Sequence, residues 1–123
     1  MSSIYQEIIL DHYRNPRHHG HLDHPTHQAK GLNASCGDKL QMDIVVKNDI
    51  ITEVMFSGFG CAISQASASL LTEAIQGKTV AQTVALEPKD TLELLGVTLS
   101  PSRIRCGLLS LETLQKTLNT PKK

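Results

Sequence analysis

The chain has 123 residues, of which 40% are hydrophobic and 20% charged, proportions that are ordinary for a folded globular protein. Its 12 Lys and Arg residues balance its 12 Asp and Glu residues, so no net charge draws it toward nucleic acid or an anionic membrane. No stretch reaches membrane-spanning length, and the first ten residues lack the pattern of a secretory leader. We therefore expect a single domain, residues 1–123, that is cytoplasmic and has neither nucleic-acid nor membrane partners.

The first predicted element is a helix from Ser3 to about Arg14, because Ile4 and Ile8 recur at helical spacing and Asn15-Pro16 ends the pattern. Five of the six histidines follow in a segment at 17–27 that also contains glycine and proline. Imidazole clusters can bind a metal ion, but a loop without periodicity does not direct its rings to one point. We favour a solvated loop over a histidine metal site.

Alternating apolar and polar residues predict two strands, from Leu40 to Val46 and from Ile50 to Phe56. Asn48-Asp49 between them is a turn signal, so the two strands should pair as a hairpin. The stretch from Gly31 to Ser35 is a candidate third strand. It would end beside Cys36, at a sheet edge where side chains are accessible.

Helices are predicted over most of the remaining chain. The Ala- and Ser-rich run from Cys61 to Ile75 is ended by Gly77, which places Cys61 at a helix N-terminus, where free N–H groups and the macrodipole favour a thiolate. Thr79 with Gln82 caps a short helix to Leu86, and another helix runs from Pro88 to Leu95.

The last predicted helix begins at Ser100-Pro101, a typical capping pair. Its core-facing stripe is predicted to contain the apolar residues that recur on one side: Ile104, Leu108, Leu111 and Leu118. Cys106 lies about 200° round the helix from Ile104, as expected at about 100° per residue, so it should face away from that stripe.

The three cysteines, Cys36, Cys61 and Cys106, stand far apart in the sequence. An odd number with wide gaps does not suit a secreted disulfide framework and favours metal-binding or reactive thiols in a reducing compartment. Buried cysteines that act only as small hydrophobic residues are the plain alternative. Asp38 follows Cys36 across Gly37, whose freedom to turn can aim both side chains at one point. Three sulfurs and a carboxylate oxygen would complete a tetrahedral donor set for zinc, or hold one corner of an iron-sulfur cluster, if the fold brings them together.

Several motifs occur in order along nearly the whole chain: Asn15-Pro16-Arg17, Ala34-Ser35-Cys36-Gly37-Asp38, Gly60-Cys61-Ala62-Ile63-Ser64 with Ala66-Ser67-Ala68-Ser69, Gly77-Lys78, and Arg103-Ile104-Arg105-Cys106. Together they resemble the NifU-like iron-sulfur cluster assembly proteins, the IscU and SufU group. The resemblance implies an α+β fold in which a small antiparallel three-stranded sheet packs against several helices. It also implies a surface site for a metal or cluster made of Cys36, Asp38, Cys61 and Cys106.

The chain shares features with two branches of that group. The run that begins at Cys61 and the basic Arg105 before the last cysteine are similar to SufU-type proteins, whereas the short interval between the second and third cysteines is IscU-like. The SufU-like branch implies bound Zn²⁺ and a cysteine, preferably Cys36 and alternatively Cys106, that accepts sulfur from a pyridoxal-phosphate cysteine desulfurase. The IscU-like branch implies a scaffold for a transient 2Fe-2S cluster that passes to acceptor or carrier proteins. Either role is that of a scaffold or sulfurtransferase-type acceptor rather than a conventional enzyme.

The charges at such a site allow further predictions. Three thiolates and a carboxylate around a divalent metal carry net negative charge, so Arg103 and Arg105 are candidates to compensate it; the alternative is a solvated helix start. Asp38 is a weaker ligand than a thiolate for a thiophilic metal. A weak ligand suits a site in which one ligand must dissociate from the metal. Its alternative role is a turn carboxylate that caps its own backbone.

Two other functions remain open. The first is a small zinc-stabilised interaction module without sulfur transfer. The second is a cysteine-nucleophile enzyme, against which the sequence offers no readable arrangement of cysteine, histidine and aspartate.

Overall fold

The computed structural model describes residues 3–33 and 37–119. The elements in these residues are, in chain order, α1 (Ser3–Arg14), β1 (His27–Asn33), β2 (Asp38–Lys47), β3 (Ile50–Phe59), α2 (Ala62–Ile75), α3 (Val80–Val84), α4 (Pro88–Leu95) and α5 (Pro101–Asn119). The strands form an antiparallel sheet in the order β1-β2-β3. The predicted α+β fold and its three-stranded sheet are confirmed. None of the helices in the described ranges is long and apolar enough to cross a membrane.

The hairpin of β2 and β3 is built around its two-residue turn. Asn48 and Asp49 have φ angles of 53° and 63°, which places both in the left-handed region that a type I′ turn requires. This turn matches the twist of the strands and fixes their register, in which Ile44 lies opposite Val54. The predicted hairpin is confirmed, but β1 begins earlier than Gly31, at His27.

One face of the sheet is covered by α2 and α5. The apolar side chains of this interface form one buried cluster, made of Met42, Ile44, Ile51, Val54, Leu71, Ile75, Leu111 and Leu114. Burying each large side chain contributes about 1.5–3 kcal/mol. This layer fixes where α2 begins and where α5 passes the sheet, and therefore where Cys61 and Cys106 lie.

The predicted core stripe of α5 is confirmed for Leu111, which is in the buried cluster, and for Leu118, which packs against it, but it is wrong for the first turns of the helix. Cys106 is 0% exposed, whereas Ile104 and Leu108 are only half-buried. The buried face contains three hydroxyl residues, Ser110, Thr113 and Thr117. Thr113 Oγ1 donates to the Leu109 carbonyl at 2.8 Å and Thr117 Oγ1 to the Thr113 carbonyl at 2.7 Å. The two threonine hydroxyls are thus satisfied inside their own helix, and Ser110 Oγ lies 2.9 Å from Ser67 Oγ on α2. Because all three hydroxyls have partners they can enter the core, and a pattern of apolar residues alone does not identify this face.

Helix α1 packs on α2 through a polar contact as well as apolar ones. His12 is 6% exposed, and its Nδ1 lies 2.7 Å from Ser69 Oγ. The same hydroxyl accepts the Arg17 main-chain N–H at 2.8 Å. Burial lowers the pKa of His12, and the nearby Arg17 cation lowers it further.

The histidine segment, residues 17–27, lies against the sheet rather than extending into solvent. Gly20 N–H donates to the Phe56 carbonyl, and Phe56 N–H donates to the His18 carbonyl, both at 2.8 Å. On the face of the sheet away from the helices, Asp43 is 1% exposed and accepts the Leu22 N–H at 3.0 Å. The histidines are not brought to one point: His21 and His24 are exposed. The segment therefore pairs with the β3 edge at Phe56 and covers Asp43 on the outer sheet face.

Candidate metal centre

Three potential metal donors meet at the end of the sheet nearest the start of α2. One oxygen of Asp38 and the sulfurs of Cys61 and Cys106 all lie within 4.8 Å of one another. Asp38 is the first residue of β2, Cys61 is the N-cap of α2, and Cys106 is in the second turn of α5. Within the described residues, this is the one group of His, Cys, Asp and Glu side chains arranged to hold a metal ion.

Asp38 is held by hydrogen bonds from two other elements. It is 0% exposed, and its Oδ1 accepts the Cys61 main-chain N–H at 2.9 Å. Its Oδ2 lies 3.5 Å from Asn33 Nδ2, at the end of β1. The carboxylate therefore caps the start of α2, not the backbone of its own turn, which was the alternative role predicted for it.

Cys61 sits where the chain turns from β3 into α2. Its backbone is extended (φ −70°, ψ 165°), as an N-cap requires. Its carbonyl accepts the Ser64 hydroxyl at 3.0 Å, and its side chain is half-buried. The predicted position at a helix N-terminus is confirmed.

Gly60 allows the close approach between this turn and Asp38. A Cβ at position 60 would overlap Asp38 Oδ1 and would lie 2.7 Å from Ser64 Oγ. No side chain other than hydrogen fits there without moving the carboxylate. Gly60 is the first residue of the motif around Cys61, but the need for glycine there follows only from the packing of Asp38 against this turn.

Cys106 approaches the site from the protein interior. It is 0% exposed, and the following Gly107 is pressed against the end of α4, where an added Cβ would lie 3.2 Å from Leu95 Cδ1. The Gly107 carbonyl accepts the Ser67 hydroxyl at 2.6 Å, which joins α5 to α2. The predicted orientation of Cys106, away from the core-facing stripe of its helix, is therefore wrong, because the side chain is buried inside the protein.

The other residues predicted for the site are placed differently. Cys36 lies outside the described residues. Gly37 is exposed, has a φ of +73°, and donates its N–H to the Asn33 carbonyl at 2.9 Å. The side chains of Arg103 and Arg105 are exposed on the first turns of α5. Charge compensation by these arginines remains a prediction.

Asn33 is a residue of the site that the sequence analysis missed. Its Nδ2 lies 3.5 Å from Asp38 Oδ2 and 3.7 Å from Cys106 Sγ. The signal available in the sequence was weak: Ala29, Gly31 and Asn33 share the inner face of β1 by alternation, which makes Asn33 a polar residue on a buried face.

Similarity to known proteins identifies the family to which the chain belongs. The family described as NifU-like N terminal domain matches residues 4–122. The chain belongs to this family. The NifU-like chain is 33% identical to the zinc-dependent sulfurtransferase SufU of Bacillus subtilis (strain 168), over 94% of this chain and 90% of that protein. It is 41% identical to the iron-sulfur cluster assembly scaffold protein IscU of Aquifex aeolicus (strain VF5), over 93% of this chain and 73% of that protein.

A solved structure gives the same result for the fold of the NifU-like chain. The crystal structure of a protein described as an iron-sulfur cluster assembly scaffold for the SUF system, from the thermophilic Fervidobacterium islandicum AW-1, superimposes with a TM-score of 0.80. The two chains are 30% identical, and the match covers 94% of this chain and 97% of that one.

The donors of the NifU-like chain fit zinc in their chemistry and spacing. Thiolates and carboxylates are both zinc ligands, and donors around a tetrahedral zinc ion lie roughly 3.5–3.8 Å apart. Donor atoms that all lie within 4.8 Å of one another need only a small approach to reach that spacing. A Cys₂Asp set leaves one tetrahedral position for a further ligand.

Proposed function

We propose that this chain, residues 1–123, is an iron-sulfur cluster assembly protein that accepts sulfur at a site made of Cys36, Asp38, Cys61 and Cys106. The observation that carries the proposal is the convergence of Asp38, Cys61 and Cys106 from three separate elements to within 4.8 Å. Ligands drawn singly from distant elements suit a site that opens, whereas structural zinc sites usually take paired ligands from short knuckles. The names of the SufU and IscU relatives support the same conclusion.

In the first role, Asp38, Cys61 and Cys106, with Cys36, hold Zn²⁺ and a pyridoxal-phosphate cysteine desulfurase supplies the sulfur. Zinc has no redox chemistry of its own and keeps its cysteine ligands deprotonated. A cysteine thiolate of this chain attacks the outer sulfur of the desulfurase persulfide. The sulfur–sulfur bond of the donor breaks, its cysteine leaves as a thiolate, and a persulfide forms on this chain.

Cys36 is the proposed acceptor, and burial supports it over the alternative. Cys106 is 0% exposed, so a persulfide on a partner protein has no direct path to its sulfur. Cys61 is half-buried and Gly37, beside Cys36, is exposed. A proposed acceptor next to an exposed turn can meet a partner without unpacking α5 from the sheet.

The surface beside the site supports docking of a partner protein. Leu32 lies opposite Lys39, and Lys39 lies opposite Phe59, so the three side chains form a row across the outer face of the sheet. Leu32 is 59% exposed and Phe59 61% exposed. The groove here has a volume of about 580 Å³, and the described residues that line it include Lys30, Lys39 and Lys116 but no acidic residue. We propose that the desulfurase docks here. Its own apolar side chains would contact Leu32 and Phe59, and acidic residues around them would pair with the lysines of this groove.

The second role is a scaffold, favoured by the 41% identity to a relative named IscU. Iron and sulfide are then substrates that the same four side chains collect into a transient 2Fe-2S cluster. Acceptor or carrier proteins would take the cluster away. Both roles belong to iron-sulfur cluster assembly, and we propose the reducing cytoplasm as their location.

A zinc-stabilised interaction module without sulfur transfer is the remaining competitor. The test is anaerobic purification with metal analysis, followed by transfer of labelled sulfur from a cysteine desulfurase and mass mapping of the labelled cysteine, with Cys36→Ser, Cys61→Ser and Cys106→Ser in parallel. Zinc at one per chain with label on Cys36 supports the first role, and iron with a visible cluster supports the second. If no preparation contains a labelled cysteine or a cluster, the sulfur-acceptor role and the scaffold role are both refuted, and the interaction module remains.

A further inference from the structure

We infer that Asn33 is a positioning residue of the metal centre, which holds the Asp38 carboxylate and the Cys106 sulfur at one place. This rests on the proposed metal site. Asn33 Nδ2 lies 3.5 Å from Asp38 Oδ2 and 3.7 Å from Cys106 Sγ. A carboxamide nitrogen carries two hydrogens, so one Asn33 side chain can donate to the oxygen and to the sulfur simultaneously.

The backbone fixes Asn33 in this position. It is the last residue of β1 and lies directly opposite Asp38 in the sheet register. Its carbonyl accepts the Gly37 N–H at 2.9 Å, which closes the turn that leads into Asp38. Helix α5 packs on β1, which brings Cys106 to the other side of the same carboxamide. The Asn33 side chain therefore joins the end of the sheet to α5.

Burial makes this contact matter. Asn33 is 7% exposed, and Asp38 and Cys106 are 0% exposed, so water does not readily take over its hydrogen bonds. When Asp38 and Cys106 bind a metal they are both anionic, and an N–H donor between them reduces their mutual repulsion. Arg103 and Arg105 are exposed on the first turns of α5.

Asn33 also completes the fixing of Asp38. Oδ1 of the carboxylate accepts the Cys61 N–H, and Oδ2 faces Asn33, so each oxygen has its own donor from a different element. Loss of the Asn33 donor frees one oxygen and lets the carboxylate rotate about its remaining hydrogen bond. The donor set would then be less ordered before any metal arrives, which lowers affinity.

The sharpest test is Asn33→Leu, which keeps the approximate size and shape of the side chain and removes both N–H donors without adding a charge or a metal ligand. Asn33→Ala removes the donors and most of the side-chain volume. The matched control is Asn119→Leu, the same chemical change at an exposed position at the end of α5. Zinc affinity is measured by chelator competition on each folded protein, cobalt(II) spectra report the geometry around the sulfurs, and urea unfolding of the metal-free proteins reports stability.

We expect Asn33→Leu and Asn33→Ala to bind zinc about 10–100-fold more weakly than the unmodified chain, and Asn119→Leu to bind zinc with unchanged affinity. The cobalt–thiolate absorption of the two Asn33 variants should change in shape, which a loss of stability alone would not cause. If Asn33→Leu does not fold, Asn33→Ala decides the question. Zinc affinity within about twofold of the unmodified chain, with an unchanged cobalt spectrum, would overturn the positioning role. If the unmodified chain binds neither metal, the proposed site itself fails, and the two failures are thereby distinguished.

Discussion

The main-chain N–H of Cys61 donates to the Oδ1 of Asp38 at 2.9 Å, so the buried carboxylate that begins β2 fixes the N-terminus of α2. A carboxylate is favourable at this end of a helix because it faces unpaired N–H groups and the positive end of the macrodipole. Two of the three described donors are therefore connected by a hydrogen bond before any metal binds.

The first prediction concerns Asp38. Asp38→Ala should lower the free energy of unfolding of the metal-free protein by about 1–3 kcal/mol, because the Cys61 N–H loses its acceptor. Asp38→Asn keeps an oxygen for that N–H and should cost less. Both variants should bind zinc more weakly, because both lose the anionic ligand. Urea denaturation and chelator competition measure the two effects separately.

Asp90→Ala is the matched control for Asp38. Asp90 Oδ2 accepts the Glu87 N–H at 2.8 Å at the start of α4, so this variant also removes a carboxylate from a helix start, away from the metal donors. It should lose some stability and keep the zinc affinity of the unmodified chain. Equal stability of Asp38→Ala and the unmodified chain would contradict the capping role.

The second prediction concerns Gly60. In Gly60→Ala, the new Cβ would overlap Asp38 Oδ1, so the carboxylate or the turn must shift. We expect a loss of about 1–3 kcal/mol in the free energy of unfolding, typical of overpacking, together with weaker zinc binding. Both are measured as for Asp38.

Gly77→Ala separates this steric effect from backbone strain. Gly77 has a φ of +85° with no atom within 4 Å of an added Cβ, so the variant is strained without a clash. It should lose stability by about 1–2 kcal/mol and keep its zinc affinity. The steric explanation is wrong if Gly60→Ala binds zinc as tightly as Gly77→Ala.

The helices and the hairpin could be predicted because each carries its own local signal. The Asn48-Asp49 turn and the Thr79–Gln82 capping box act between residues that are neighbours in sequence, and both occur in the structure. The start of β1 could not be found in the same way. Its pairing partner, β2, lies later in the chain, and the residues from His27 carry little β propensity of their own.

The site was harder to predict because its geometry is set by tertiary contacts. The buried face of α5 includes threonines whose hydroxyls are bonded within the helix, and an apolar pattern does not count these residues, so Cys106 was assigned to the wrong face. Asp43 is one of the polar residues that alternate in the strand predicted from Leu40 to Val46, yet the histidine segment covers it and Leu22 N–H donates to it. The identity of the donors was readable, whereas their supports, Asn33 and Gly60, depend on which elements pack together.

The third prediction concerns pH and His12. Burial, and then Arg17, lower the pKa of His12 in the folded protein below its ordinary value of 6.5. The unfolded chain therefore binds more protons at this position as the pH falls below 6.5, and the folded state loses stability by at most about 1.4 kcal/mol per pH unit from this group. The effect is absent well above that pH. Glu73 and Asp11, which favour the charged form, limit its size.

The measurement is urea unfolding of metal-free protein at about pH 7.5 and about pH 5.5, because the unfolded-state titration of histidine falls between them. His12→Asn should show a smaller loss of stability between the two pH values than the unmodified chain. His24→Asn, the same substitution at an exposed position, is the control with which the effect of His12→Asn is compared. The lowered pKa of Asp11 does not interfere, since its window lies below 3.8. An unchanged pH dependence in His12→Asn would show that His12 does not couple proton binding to folding.

The fourth prediction concerns the row formed by Leu32, Lys39 and Phe59. Lys39 Nζ lies 5.5 Å from the centre of the Phe59 ring, so the cation and the ring form one surface beside the donors. If the desulfurase docks here, Phe59→Ala should lower the rate of sulfur transfer at limiting desulfurase about tenfold, as expected when an interface loses an aromatic anchor worth about 1.4 kcal/mol. Zinc affinity and stability should stay close to those of the unmodified chain, because the ring is exposed.

Val84→Ala is the matched control for this surface. Val84 is also an exposed apolar side chain, 45% exposed, but it lies on α3, beyond the C-terminal end of α2 and away from the site. It should transfer sulfur at the rate of the unmodified chain. A high desulfurase concentration should restore transfer in Phe59→Ala, because the defect is in docking and the donor residues are intact. Loss of transfer that persists at saturating desulfurase would instead assign Phe59 to the sulfur-transfer step, and an unchanged rate would place the docking surface elsewhere on the molecule.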